Sequence, residues 1–311
     1  MNKIIIIGGI TADIEGHPRE ELLRGESNPG RLSVSYGGVG RNIAENLARM
    51  KAPVEFHSVV GDDLIGRNAL AELAGLGVDV SGVRVEPEES TAMYLSILDF
   101  FGDLELALCN MDALEKISPD FLLEIAKKSK DAGMIALDAN LTEAALEYAT
   151  ECFAGLPLFL DPVSAPKAEH AKKSIGKFHT IKPNRTEAEV LTGMEIMDLS
   201  ALERAGDWFL NKGVKRIFVT LSAGGVYYCD EKEKVLVRPS TEGPAILSAT
   251  GAGDAFSAAI LYGTTQGFDT EKLLDYAMAA ASLSLEARTP VHPQLTVEAI
   301  LQRMKEKPAE R

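Results

Sequence analysis

Four short runs, at residues 4–7, 134–137, 156–160 and 217–221, are almost purely apolar, and longer segments of helical period, such as 121–130, lie between them. Strand-length runs without polar alternation are those buried on both faces. A parallel sheet with helices above and below is the usual way to bury them. The expected fold is therefore α/β, a three-layer α/β/α sandwich around a mostly parallel sheet. A chain of 311 residues suits one large domain over 1–311 with a small appendage.

Two regions break the rhythm. Residues 32–36 and 91–110 read as short β segments, the second with Tyr94, Ser96 and Leu98 leading into a Phe100-Phe101-Gly102-Asp103 turn and a return run. These strands, within about 14–36 and 91–111, are expected to form a β-strand lid over a cleft. Their exposed edge offers a homodimer contact.

The net charge of −14 sets the long-range field against nucleic acid polymers and anionic membranes. No apolar stretch reaches the roughly 20 residues of a membrane helix. The first apolar run passes straight into Gly8-Gly9 without a cleavage-like site and reads as a strand, not a signal peptide. Cys109, Cys152 and Cys229 are spaced for neither a disulfide framework nor a zinc site, and read as buried thiols in a reducing cytoplasm. The polar end, 305–311, is expected to fray.

Function must then lie in local constellations. Thr250-Gly251-Ala252-Gly253-Asp254 stands directly before the apolar helical segment 255–262. Amides of Gly251, Ala252 and Gly253 at a helix N-terminus can converge on an anion, and phosphoryl transfer needs such a pocket because charge spreads over the transferred oxygens. Asp254 beside it could take the proton of an attacking hydroxyl. Read alone, the run serves equally as a helix cap.

Gly37-Gly38-Val39-Gly40-Arg41-Asn42 opens another helical segment and lets a ligand approach bare backbone at Gly38, with Asn42 available to sugar hydroxyls; alone it is a tight turn. In Lys182-Pro183-Asn184-Arg185-Thr186-Glu187, Asn184 and Glu187 share a helix face and could hold a hydrated Mg²⁺, form a capping box, or both. Thr220-Leu221-Ser222-Ala223-Gly224-Gly225 turns between two strands and could flank nucleotide phosphates or ribose, or be a plain hairpin. Asp13 follows the first strand, where parallel sheets carry ligand contacts. A Walker loop, a dinucleotide-binding Gly-x-Gly-x-x-Gly, paired zinc histidines and a Gly-x-Ser-x-Gly elbow are all missing.

Taken in order, the runs at Gly37 to Asn42, Asn184 to Glu187 and Thr250 to Asp254 resemble the PfkB, or ribokinase-like, family of carbohydrate and nucleoside kinases, over nearly the whole chain. The resemblance implies a ribokinase-like sandwich with a β lid, ATP as donor, Mg²⁺, and transfer of the γ-phosphoryl to a sugar hydroxymethyl. It makes Asp254 the base and Gly251, Ala252 and Gly253 the anion hole. Asn184 and Glu187 become the metal and phosphate motif, Thr220, Ser222, Gly225 and Thr250 ATP-side contacts, and Asp13, Gly38 and Asn42 sugar contacts.

Within the family, the strings Ser27-Asn28-Pro29-Gly30, Gly37 to Leu47, Asp161-Pro162-Val163-Ser164 and Lys182-Pro183-Asn184-Arg185 look most like members acting on the nucleoside pseudouridine. That implies phosphorylation of its 5-hydroxyl, with Asn140 facing the nucleoside from a strand end and Tyr94 or Asn110 approaching from the lid. Another uncharged sugar or nucleoside, or a catalytically inactive nucleoside sensor, are the alternatives. Residues 91–110 contain no Lys or Arg, which favours an uncharged acceptor. Two positions depart from the family pattern. Lys51 stands where Gly or Ser is usual, and Ser248-Ala249 stand where an acidic residue and Thr are common, which removes a carboxylate that in relatives helps hold a monovalent cation such as K⁺.

Overall fold

A computed structural model of the chain describes residues 3–239 and 246–306. Its first eight strands are β1 (Ile4–Ile7), β2 (Thr11–Pro18), β3 (Gly30–Gly37), β4 (Val54–His57), β5 (Val59–Gly61), β6 (Arg84–Glu86), β7 (Met93–Leu98) and β8 (Leu104–Asn110). The remaining six are β9 (Met134–Asp138), β10 (Leu158–Asp161), β11 (Thr180–Ile181), β12 (Arg216–Thr220), β13 (Val226–Cys229) and β14 (Lys234–Val237). The main sheet runs β14-β13-β12-β11-β10-β9-β1-β4. It is parallel from β4 to β12, and β13 and β14 add an antiparallel edge.

Alternation along a strand sorts the isoleucines of β1 between two cores. Ile4 and Ile6 join the cluster formed with helices Val39–Arg49, Ala252–Thr265 and Thr270–Ser284, whereas Ile5 and Ile7 join the one that includes Leu122, Leu146 and Phe209 on the opposite face. All four are essentially inaccessible to water. Helix layers on both faces thus explain the uniform apolarity of the strand, as expected from the sequence. The chain leaves β1 toward β4 on one side and reaches β9 on the other. The carboxyl end of β1, at Gly8 and Gly9, is therefore a topological switch point, where open α/β sheets bind ligands.

The irregular regions form a separate four-stranded sheet, β3-β2-β7-β8. Its register puts Ile14, Leu32, Val34, Leu95, Ile97, Leu106 and Leu108 on one face and Ser35, Asp13, Tyr94 and Cys109 in one row on the other. Strand β2 begins at Thr11, earlier than the expected boundary near residue 14.

Lys51, with φ of 60°, takes the left-handed conformation at the end of helix Val39–Arg49. A glycine would meet this backbone conformation without strain. The thiols differ from expectation: Cys229 is buried, Cys152 half-buried, and Cys109 exposed because it lies on the small sheet, outside either core. Lys305 and Glu306 end a helix, Val297–Glu306, while 307–311 lie outside the described residues. Among the described residues no helix is long and apolar enough to cross a membrane.

Candidate active site

Helix Ala252–Thr265 starts after Gly251, whose φ of 83° turns the chain into it. A side chain is impossible there, since a Cβ would lie 1.7 Å from the Pro290 carbonyl oxygen. Gly251, not Asp254, is the cap, and Asp254 makes no capping bond. The Ala255 N–H donates to the Gly251 carbonyl, and the Ala252 N–H reaches only the Ala249 carbonyl at 3.5 Å. The first turn therefore presents polarised amides to an approaching anion.

Asp254 is 9% exposed, and its Oδ2 accepts a 2.8 Å hydrogen bond from Nδ2 of Asn42, on the helix opened by the Gly37 to Asn42 loop. Burial, then the neighbouring Asp161 charge, push its carboxyl up to about 7, against the Asn42 bond and Lys182. A carboxyl poised there can accept a proton near neutrality. Lys182 is buried, forms a 2.9 Å ion pair with Asp161, and also feels the Glu187 and Asp254 carboxylates. Burial alone would lower its ammonium; those three charges carry it above the ordinary lysine value. Ser257, on the same helix as Asp254, donates to Asp161 at 2.8 Å. The Lys182 Nζ would be 3.2 Å from a Cβ on Gly253, so a cation stands beside the amide turn.

The Asn184–Glu187 pair is a complete capping box. The Asn184 Oδ1 accepts from the Glu187 N–H at 2.9 Å, while the Glu187 oxygens accept from the Asn184 N–H at 2.8 Å and from its Nδ2 at 2.7 Å. Burial pushes the Glu187 carboxyl up, with Lys182 opposing. Asn184 bridges in parallel to Thr220, which brings the two expected nucleotide contacts together. Beyond Thr220 the chain makes a tight turn in which Ser222 is exposed with φ of 53°, and Gly225 lies so close to Val237 that a Cβ would clash with its carbonyl. Thr250 donates its N–H to Ser248 Oγ at 3.1 Å.

The other wall gathers at the switch point. Asp138, closing β9, accepts from Gly9 at 2.9 Å and Gly40 at 2.7 Å, tying the end of β1 to the glycine loop; burial raises its carboxyl against these bonds. Gly38, with φ of 95°, packs on the Gly9 carbonyl with no room for a Cβ. Asp13 accepts from Thr11 Oγ1 at 3.2 Å and presses on Gly37, and burial raises its carboxyl too. Asn140 stands against Gly9.

Two expected acceptor contacts separate. Tyr94 shares a row and face with Asp13, but Asn110 falls one residue out of phase and uses its Oδ1 to accept from the Asp112 N–H. It is turned to the face away from Asp13, a correction that follows from strand alternation. Sequence reading assigned no role to Lys182, Asp161, Asp138 or Ser257. A signal was present, since Asp138 and Asp161 each close a buried apolar strand, where a carboxylate is costly unless used. Among the described residues no group of three or more His, Cys, Asp or Glu side chains is arranged to hold a metal ion directly.

Residues 1–296 match the model of the pfkB family carbohydrate kinases. The chain is 32% identical to the pseudouridine kinase of Escherichia coli over 96% of its own length and 95% of that protein's. It is 29% identical to the guanosine-inosine kinase of Exiguobacterium acetylicum, covering 91% and 94% of the two chains. In structure it is similar to a carbohydrate kinase from Agrobacterium tumefaciens, with a TM-score of 0.88, 26% identity, and 100% and 99% of the chains covered. Arabidopsis thaliana ribokinase complexed with ribose and ATP superposes with a TM-score of 0.85 over 98% and 99% of the chains at 24% identity, which shows a shared ribokinase-like fold. The chain belongs to the pfkB family and is a sugar or nucleoside kinase.

Proposed function

We propose that this chain transfers the γ-phosphoryl group of ATP to the 5-hydroxyl of a nucleoside, with pseudouridine as the acceptor and Asp254 as general base. The observation that carries this reading is the position of Asp254: a buried carboxyl poised near 7, hydrogen-bonded to Asn42 and set on the turn whose amides face an anion. The 5-hydroxyl gives its proton to Asp254 as its oxygen bonds to the γ-phosphorus, and the bond to the β,γ-bridging oxygen breaks to release ADP. The amides of Gly251, Ala252 and Gly253, with Lys182 beside them, meet the charge on the transferred oxygens. Asp13, Gly38 and Asn42 hold the sugar, and Thr220, Ser222, Gly225 and Thr250 flank the nucleotide.

Asn184 and Glu187 suit a Mg²⁺ held through water. Glu187, Asp161 and Asp254 surround a single ammonium, leaving an excess of negative charge, and Mg²⁺ keeps most of its waters. When bound, it neutralises phosphate oxygens. Ser248 and Ala249 supply no carboxylate to a monovalent cation such as K⁺.

The kinase forms one domain, with the small sheet as a lid. Its polar row, Ser35, Asp13, Tyr94 and Cys109, faces the acceptor. On its other face Leu32, Val34, Leu106 and Leu108 are each more than half exposed. An apolar sheet face of this kind fits the same face of a second copy related by a two-fold axis. The contact is then face to face, not along the edge suggested by the sequence.

ADP release with ATP and Mg²⁺ tests the acceptor, using pseudouridine, uridine, inosine, ribose and fructose 6-phosphate. Pseudouridine is expected to give the highest kcat/KM. Turnover of another acceptor without pseudouridine would reject the acceptor, and binding without ADP release would reject catalysis.

A further inference from the structure

Ser257 lies three residues beyond Asp254 on helix Ala252–Thr265, and the reaction above gives its hydroxyl no task. Its partner is the carboxylate of Asp161, which closes β10. Strand alternation explains the meeting. Phe159 packs in the core shared with this helix, so Asp161, two residues on, turns to the same side. Ile181 of β11 joins the opposite core, so Lys182 turns back toward the helix and stands beside Asp161, one step past the Leu160–Ile181 pair. Ser257, Asp161 and Lys182 are all buried.

Among the described residues three donors hold Asp161. Its Oδ1 accepts from the Val163 N–H at 3.0 Å, and its Oδ2 accepts from the Ser257 hydroxyl at 2.8 Å and the Lys182 ammonium at 2.9 Å. The first bond is made in a strained turn. Val163 has φ of 68°, where a β-branched side chain is an outlier, and the Ser164 N–H closes on the Pro162 carbonyl at 2.7 Å. Strain of this kind persists only where the surroundings over-determine it, and it gathers at functional sites. The run Asp161-Pro162-Val163-Ser164 thus fixes one carboxylate oxygen and presents the other to the helix.

That fixation matters because Lys182 has a choice of partners. Its ammonium sits on a flexible stem and feels Glu187 and Asp254 as well as Asp161. It serves the anion turn only where it stands now, beside Gly253. A carboxylate free to rotate would let the ammonium drift toward the other two, whereas a hydroxyl bond to Oδ2 gives Asp161 one direction. Resting on the reading above, in which Lys182 meets the charge of the transferred group, we propose that Ser257 is a positioning residue. By fixing the Asp161 carboxylate it keeps the Lys182 ammonium at the phosphoryl turn during transfer.

The test uses Ser257→Ala and Lys182→Gln, singly and together, with ATP, Mg²⁺ and whichever acceptor of the panel above gives the highest kcat/KM. Glutamine can still donate to Asp161 but carries no charge. Circular dichroism and melting temperatures check folding. In Ser257→Ala, kcat should fall at least about fivefold while KM for ATP and for the acceptor stays within about twofold, the pattern of an interaction made in the transition state. In the Lys182→Gln background, with no cation left to position, the same change should cost less than about twofold.

Folded Ser257→Ala with kcat within about twofold of the wild type overturns the proposal. So does a loss repeated in full in the Lys182→Gln background, because Ser257 would then act without the cation. A rise in KM for ATP at unchanged kcat assigns the hydroxyl to ground-state binding and overturns it too, and a fall in kcat that only tracks the loss of folded protein reduces the bond to a structural one. All four results leave the role of Lys182 intact. Lys182→Gln with wild-type turnover rejects that role instead, and the positioning of its ammonium falls with it. Should Lys182→Gln turn over too slowly for the double variant to be read, the kcat and KM of Ser257→Ala decide alone.

Discussion

Replacing Asp254 by Asn separates what the carboxylate does for the reaction from what its charge does to the fold. Its carboxyl moves from 3.8 to about 7, chiefly through burial. At 1.36 kcal/mol per unit, holding the ionised form in place costs up to about 4 kcal/mol. The folded chain binds a proton that the unfolded chain has released. The stabilising contribution is therefore complete below about pH 4 and is lost as the pH rises through about 7. An amide at this position does not titrate, and it can still accept from Asn42.

Some of the gain is offset because Lys182 loses one of the three carboxylates around it. The variant should therefore be more stable than the wild type above neutral pH by about 2–4 kcal/mol. Near pH 4 the two should be about equal. Urea midpoints across this range, with circular dichroism as the probe, read the gap directly. ADP release by the same preparation should be lost. A gap that does not vary with pH, or a variant less stable than the wild type at alkaline pH, would refute the account of a buried, unfavourable charge. Near-normal turnover would remove Asp254 from the role of base.

Three other outcomes follow from the same geometry. Asn42→Ala removes the bond that favours the Asp254 carboxylate, so the acid limb of the kcat/KM profile should move to higher pH by up to about one unit; an unmoved limb separates the two residues functionally. Gly251→Ala forces a Cβ into the Pro290 carbonyl and should cost more than about 2 kcal/mol in denaturation along with most activity, whereas Gly253→Ala, which meets only the lysine tip, should spare the melting temperature. Leu106→Glu places a charge on the exposed aliphatic face, and sedimentation velocity should find a dimeric wild type and a monomeric variant; identical profiles would exclude this contact.

Much of the fold was legible because its signals are local. Burial on both faces writes itself into runs such as Ile4 to Ile7, and the capping box at Asn184 and Glu187 closes within three residues. The glycine runs could be placed at helix starts for the same reason. Single residues between β segments were harder: Asn110 and Cys109 are adjacent, and only the pairing with Tyr94 and Asp13 decides which one shares a face with Asp13.

The site itself depends on contacts that no local pattern encodes. Asn42 meets Asp254 across 212 positions, Asp138 meets Gly9 across 129, and Ser257 meets Asp161 across 96. The strand order brings these partners together. Their burial then moves the Asp254 carboxyl from its ordinary value to about 7. Residue type and spacing thus determined the elements and the family motifs. Only the tertiary structure raised the Asp254 carboxyl and placed the Lys182 ammonium beside it, because desolvation and charge proximity depend on distance in space, not on separation along the chain.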